Sequence, residues 1–446
     1  MNHAIVIGAS MAGLLSAAAL HAKFARVTVL DRDAMPDDDE HRKGVGQSRH
    51  AHALLARGHE AVERLLPGIT AELVAQGAIT SDVQRNARHI HCGQRHARVE
   101  SGMTGLLASR PMLEGQVRRR ITALPGVRLL PDSVAAGLLV ERDRVTGVRL
   151  AGGEPIPADL VVDASGRGSR TPFWLDELGI VPPAEEHVML DVRYGTREFR
   201  RRPGDLDGDL IVVVAPTPDK PRGGVALAME GDRWIVTLVG YGQAPGRSLA
   251  GFAEFAADLP ALDLHRLIST AQPIGEPQVY RNPAGIRRRY ERMTRFPDGL
   301  LVTGDAVCAF NPRYGQGMTV AALEALELLK TDLRPLPFFK RVAKVVDGPW
   351  QITVDDDVRL LHAASTLSLK KRLLNAYLER FHAAAAHDQE LALRFQRVAN
   401  LYAPPLSLIT PGSLVRVLRN GSPRATSVPD PESVPREASE RSTRST

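Results

Sequence analysis

The chain has 446 residues, room for two or three domains or one large two-domain unit with a real core. At 43% apolar and 24% charged residues it is composed like a globular protein, and no apolar run approaches the ~20 residues of a membrane helix. The net charge of +6 is spread over Arg-rich stretches such as Arg197–Arg202 and Arg287–Arg295; lacking interleaved aromatics or a nucleic-acid motif, these read as solvated surface, and no nucleic-acid partner is expected.

The N-terminal segment reads as strand, glycine turn, helix, strand: Ala4–Ile7, Met11–Ala22 and Arg26–Leu30. Both strands are continuous apolar runs, the pattern of a parallel sheet covered on two faces. The turn Gly8-Ala9-Ser10-Met11-Ala12-Gly13 is a variant dinucleotide fingerprint with Ser10 at the middle glycine position. Gly8 permits the tight turn, Ser10 is small enough for a pyrophosphate to approach, and Gly13 lets the helix pack closely. Asp31 ends the second strand, where an acid would bind the adenosine ribose hydroxyls. Residues 34–48 form a polar loop, and the stretch from His50 to Ala78 has helical spacing.

Ser109-Arg110-Pro111 leads into a further helix with apolar Met112, Leu113, Val117 and Ile121. Short strands and a hairpin near Arg144–Gly147 follow. A buried strand at Ala158–Val162 then runs into Asp163–Arg170. Between residues 185 and 295 the texture changes to long alternating stretches, which predict antiparallel strands with one face over a cavity. A second glycine pattern, Gly240-Tyr241-Gly242-Gln243-Ala244-Pro245, lacks a helical start and reads as a sheet-to-helix turn. One dinucleotide is therefore expected to be held firmly, with any nicotinamide docking transiently.

Leu300–Thr303 is a short buried strand ending at Gly304-Asp305. After a Pro312 turn, Gly315 and Gly317 open a helix from Met318 to about Leu329. Two glycines at a helix N-terminus let a ligand approach free N–H groups and the positive dipole end, which favours negative charge there. Residues 346–418 look helical and 420–446 a disordered tail. The resulting division is 1–184 with 296–345 as an α/β nucleotide-binding domain, 185–295 as an inserted antiparallel-sheet substrate domain, 346–419 as C-terminal helices, and the tail. Leu406–Leu418 is short and broken by Pro411 and Gly412, so packing is expected there, with no stable membrane insertion.

Cys92 and Cys308 form no CxxC pair, and the histidines have no metal-type spacing, so neither a disulfide framework nor a metal is expected. Without a secretory leader pattern at the N-terminus, a cytoplasmic location is expected.

Four blocks in this order, Gly8–Gly13 with Asp31, Arg110 with Leu113, Asp163–Arg170 and Gly304-Asp305 through Gly317, resemble the group A FAD-dependent monooxygenases. The wording is nearest to the squalene-epoxidase-like branch of bacterial polyketide and terpenoid epoxidases. The resemblance implies a Rossmann-type FAD-binding domain. Arg110 would reach the FAD pyrophosphate and ribose, and Asp305 would bond the ribityl chain. Pro312 would line the flavin front, with Gly315, Gly317 and Met318 as backbone donors to the N1/O2 edge. Arg49 is either a further cofactor contact or a solvent-facing arginine. The implied reaction inserts one oxygen atom from O2, by epoxidation or hydroxylation through a C4a-hydroperoxyflavin, into an apolar polyketide, terpenoid or aromatic molecule. No protein catalytic residue is nominated.

Many relatives carry Asp-Gly where this chain has Ser165-Gly166, which leaves NAD(P)H and a partner flavin reductase both open as electron donor. Trp174, Trp234 and Trp350 stand alone, so the Trp-x-Trp pair of flavin halogenases is missing. The alternatives are a prenyl-reductase-like flavoenzyme on the same scaffold and a non-catalytic FAD-binding protein.

Overall fold

The computed structural model describes residues 2–35, 40–42, 46–361 and 367–420. All but the first residue of the tail expected to be disordered lies outside these residues. Five parallel strands form the first sheet, in the order Leu300–Val302, Leu160–Asp163, His3–Ile7, Arg26–Leu30, Val127–Leu130. His3–Ile7 and Leu160–Asp163 are buried at every position, as their unbroken apolar runs require. Helix Met11–His21 packs against both Arg110–Thr122 and Gly317–Lys330, so the two glycine-bearing helices lie side by side. The turn after Leu300–Val302 also approaches the first helix closely: a Cβ on Gly304 would stand 2.6 Å from Cβ of Ala12.

The second large sheet has eight strands, in the order Cys308–Ala309, Pro273–Arg288, Glu185–Arg200, Arg233–Tyr241, Arg222–Met229, Ile211–Val214, Ala87–His91, Gln94–Arg95. Its central pairings are antiparallel, as the alternation predicts. Ala87–His91 joins by parallel pairing with Ile211–Val214, so the sheet recruits strands from outside residues 185–295. Helices Leu249–Ala257 and Asp263–Thr270 cover its own apolar core through Phe252, Phe255, Leu264 and Leu267.

Two elements differ from the sequence expectation. The stretch from His50 is not helical at first: Ala53–Leu54 is a strand paired with Thr104–Leu107, and helices Ala56–Leu65 and Ile69–Ala75 follow. Long-range pairing there overrides local propensity. Helix Pro335–Leu361 also runs unbroken across residue 345 and past its internal Pro349. Its first half packs in the parallel-sheet core through Phe338, Phe339 and Val342, and its last turns reach the other layer. Leu369–Ala385, Gln389–Ala399 and Pro411–Asn420 pack through Phe381, Leu391 and Val417, joined by Leu408 of the Pro405–Ile409 turn. Among the described residues no helix is long and apolar enough to cross a membrane.

Candidate flavin site

The fingerprint turn is held by contacts that leave no room for larger residues. Gly8 has φ +104°, and a Cβ there would stand 2.5 Å from the Ala164 carbonyl oxygen; a Cβ on Gly13 would meet the Gly8 carbonyl oxygen at 1.7 Å. Helix Met11–His21 begins without a side-chain cap from Ser10 and without an acid in its first turn, so its N–H groups stay free for an anion. Asp31, at the end of the second strand, accepts from the Ala9 N–H at 2.6 Å and pairs with Arg42 at 2.7 Å.

Ser10 departs from glycine for a reason visible in its contacts. Its hydroxyl accepts from Arg110 at 2.8 Å and donates to Glu114 at 3.0 Å. Glu114 also accepts from Arg110 (2.7 Å) and from Arg42 (3.0 Å). Glu114 is buried, yet Arg110 and Arg42 overcome that cost and hold its carboxyl below the usual range. The helix carrying Arg110 is capped by Ser109, whose hydroxyl accepts from the Met112 N–H. Arg110 thus stands beside the turn that would receive a pyrophosphate.

The second loop approaches the same space. Thr303 extends the Leu300–Val302 strand, and Gly304 takes φ +66°. Asp305 lines the cavity and makes no hydrogen bond among the described residues; burial pushes its carboxyl up, against the pull of Arg167 and Arg110. Gly315 has φ +63° with open space where a Cβ would lie. Helix Gly317–Lys330 starts without a side-chain cap, so the Gly317 and Met318 N–H groups are free to donate. An unpartnered carboxylate for a hydroxylated chain, uncapped N–H groups for an electron-rich edge, and arginine beside a glycine turn for a diphosphate fit FAD.

One cavity of about 1330 Å³ takes in both loops, above the about 300–1,000 Å³ of a site for one small molecule. Gly8, Ser10, Met11, Asp31, Arg110, Asp305, Pro312, Gly315, Gly317 and Met318 all line it. Gly13 sits behind the turn against Gly8. Arg49 is exposed at the end of the Gly46–Arg49 turn and is not part of the cavity wall, the solvent-facing alternative of its two readings. Arg42 stands beside Asp31 instead.

Sequence reasoning missed a buried polar network that fixes the second loop. Asp357 accepts from Tyr241 (2.7 Å), Tyr314 (3.0 Å) and the Asn311 amide (3.0 Å). Asp356 pairs with Arg313 and with Arg359. Against the cost of burial, those two guanidinium groups hold the Asp356 carboxyl down, whereas burial pushes Asp357 up. The only sequence signal was the adjacent acids on a helix, too common to single out. Asp163, in the middle motif, accepts from Ser165, Ser169 and Thr171 and so holds its own loop together.

The sequence matches the family described as FAD binding domain over residues 1–331. The chain belongs to that family. It is a flavoprotein oxidoreductase with FAD as cofactor, and the group A monooxygenase resemblance holds at the level of family and fold. It is similar to Protein Rv3254 of Mycobacterium tuberculosis strain H37Rv, 34% identical over 435 residues and 91% of each chain. Among solved structures it shares the fold of the flavin-dependent brominase Bmp2 (TM-score 0.66, 13% identity, 94% of this chain and 99% of that one). It also shares the fold of PqsL, a probable FAD-dependent monooxygenase from Pseudomonas aeruginosa (TM-score 0.57, 16% identity, 88% and 99%). A third is 2-methyl-3-hydroxypyridine-5-carboxylic acid oxygenase (TM-score 0.59, 16% identity, 88% and 98%).

Proposed function

We propose that this protein is an FAD-dependent monooxygenase that transfers one oxygen atom from O2 to a largely apolar small molecule bound under the antiparallel sheet. The observation that carries this reading is the continuity of the cavity. The flavin loops and an apolar wall of Val213, Val225, Leu227 and Val239 border one space, so substrate and isoalloxazine can share it. FAD supplies the redox and oxygen-activating chemistry when bound. The chain supplies position and dryness: Arg110 and the fingerprint turn would hold the diphosphate, Asp305 the ribityl hydroxyls, and Gly317 and Met318 the ring edge. The apolar wall excludes water.

Reducing power comes from NAD(P)H or from a partner flavin reductase. The Gly240–Pro245 pattern supports transient docking over a second firm dinucleotide site, because the helix after it begins only at Leu249. Its two cysteines are unpaired, which suits work in the cytoplasm.

The test is to reduce the purified holoenzyme anaerobically, with NADPH, NADH or a flavin reductase, and mix it with oxygenated buffer in a stopped-flow spectrometer. Reoxidation in two resolved phases, with a rate unlike that of free reduced flavin, is expected. A single phase at the free-flavin rate would count against oxygen transfer and favour the reductase reading.

A further inference from the structure

His50 projects into the cavity from the segment between the Gly46–Arg49 turn and the Ala53–Leu54 strand. It stands against Tyr280 (ring centroids 5.5 Å apart) and Tyr194 (5.9 Å), which are cross-strand partners on the large sheet. The Tyr194 hydroxyl donates to Asn311 of the flavin loop, so this ring cluster borders the flavin side of the cavity.

A chain of hydroxyls fixes the tautomer of His50. The Ala51 N–H donates to Thr237 Oγ1 at 2.9 Å, occupying one of its lone pairs. The Thr237 proton then has a single acceptor among the described residues, Thr196 Oγ1 at 2.6 Å. Thr196 in turn must give its own proton to His50 Nδ1, at 2.7 Å. Any arrangement in which Nδ1 donates instead leaves one of the two threonine hydroxyl protons without an acceptor among the described residues, although both threonines are largely buried. Nδ1 is therefore an acceptor and the proton resides on Nε2, an assignment that comes from satisfying the network.

Among the described residues, neither His50 Nε2 nor the Tyr280 hydroxyl has a hydrogen-bond partner, and neither is sealed from the cavity. Two donors thus stand side by side where the apolar wall meets the polar flavin side, with Arg167 and Asp305 close enough to act on Tyr280. We propose that His50 Nε2–H and the Tyr280 hydroxyl read a hydrogen-bond-accepting oxygen on the substrate, so that the substrate class is a carbonyl- or phenol-bearing ring compound and not a pure hydrocarbon. A bound hydrocarbon would cover both donors without giving either a partner, and sites built on hydrogen bonds discriminate strongly against analogues that cannot make them. Burial, with the neighbouring His41, pulls the His50 imidazole down to about 4, so it is a neutral donor at physiological pH. The inference rests on the monooxygenase reading only in taking the cavity as a substrate site.

The test is equilibrium binding to the oxidised FAD-loaded protein, followed by perturbation of the flavin visible spectrum. Matched probes differ in oxygen alone: 1-tetralone against tetralin for a carbonyl, and 1-naphthol against naphthalene for a phenol. Wild type is expected to bind one or both oxygenated members about 5- to 30-fold more tightly than their hydrocarbons, the range of one to two neutral hydrogen bonds. His50→Phe should abolish that preference while retaining FAD. His50→Gln, whose amide nitrogen can reach the Nε2 position, should keep part of it. Thr196→Val, which frees Nδ1 without touching the cavity donor directly, should weaken the preference and leave FAD affinity unchanged.

Equal binding of oxygenated and hydrocarbon probes, or none of either, overturns the proposal. So does a His50→Phe protein that folds but comes off the column without FAD, because the donor would then serve the cofactor. None of these readouts involves oxygen, so failure of the monooxygenase reading would show separately, in the reoxidation experiment.

Discussion

Glu324 lies behind the loop that carries Asp305, and its carboxylate accepts from Thr303 Oγ1 at 2.6 Å and from the Gly304 N–H. It is fully buried, and burial pushes its pKa up to about 7, with Asp305 adding to the rise. An acid whose folded value lies above its unfolded value of 4.5 holds more protons when folded, so folding stability falls as pH rises between those values. The destabilisation is complete above about pH 7 and amounts to at most about 3 kcal/mol. Glu324→Gln keeps the acceptor oxygen and mimics the neutral acid. Thermal melts of the FAD-free protein should show the variant equal to wild type at pH 4, below both values, and more stable at pH 8. Parallel pH profiles for the two proteins would show that Glu324 does not titrate in this range. At this scale the sequence shows which residues could meet a flavin, because glycine, aspartate and arginine serve it through backbone geometry and charge. It does not show Arg42 or Glu114, whose roles exist only once Arg42 is brought against Asp31 and helix Arg110–Thr122.

Helix Pro335–Leu361 links the layers as an element. Its first half is a core helix of the nucleotide-binding layer, and its last turns present Asp356 and Asp357 to the flavin loop. Removing the Asp357 carboxylate would leave the buried Tyr241 hydroxyl without its acceptor, a penalty of about 1–3 kcal/mol, and would strip one acceptor each from Tyr314 and Asn311, which keep Asp356 and the Tyr241 hydroxyl. Asp357→Ala should therefore weaken FAD binding about tenfold or more, although Asp357 belongs to no recognised flavin motif. Flavin fluorescence titration alongside a thermal melt checks this. An unchanged FAD affinity with a lowered melting temperature would mean that the network supports the fold and not the loop. Elements with local signals were legible: unbroken apolar runs marked the parallel strands, and alternation marked Glu185–Arg200 and Arg233–Tyr241. Elements made by distant pairing were not. Ala53–Leu54 becomes a strand only beside Thr104–Leu107, and Ala87–His91 enters the large sheet only beside Ile211–Val214.

At the scale of the whole molecule, the cavity is a joint product of three layers. The parallel sheet brings the fingerprint turn and Asp305 to one end, the antiparallel sheet supplies the apolar wall, and the C-terminal helices close the space with Leu378, Phe395, Leu408 and Ile409. Strands Glu185–Arg200 and Pro273–Arg288, 16 residues each, span about 50 Å at ~3.4 Å per residue. They run from beside the Cys308–Ala309 strand to helix Leu249–Ala257, where Phe199 stacks on Phe252. If the helical layer keeps the oxygen chemistry dry, weakening it should spill reduced oxygen without loosening the cofactor, because no flavin-loop residue belongs to it. Phe395 is the choice for this test: it packs edge-on against His91, His96 and His382 at the cavity wall, away from the fingerprint turn. Phe395→Ala should keep FAD affinity within about twofold of wild type, since nothing that holds the nucleotide is touched. The hydrogen peroxide released per reduced flavin, read by peroxidase coupling with a bound aromatic probe, should rise several-fold as water reaches the site. A peroxide yield equal to wild type would show that dryness at the flavin comes from the sheet wall alone, and that the C-terminal helices serve another purpose.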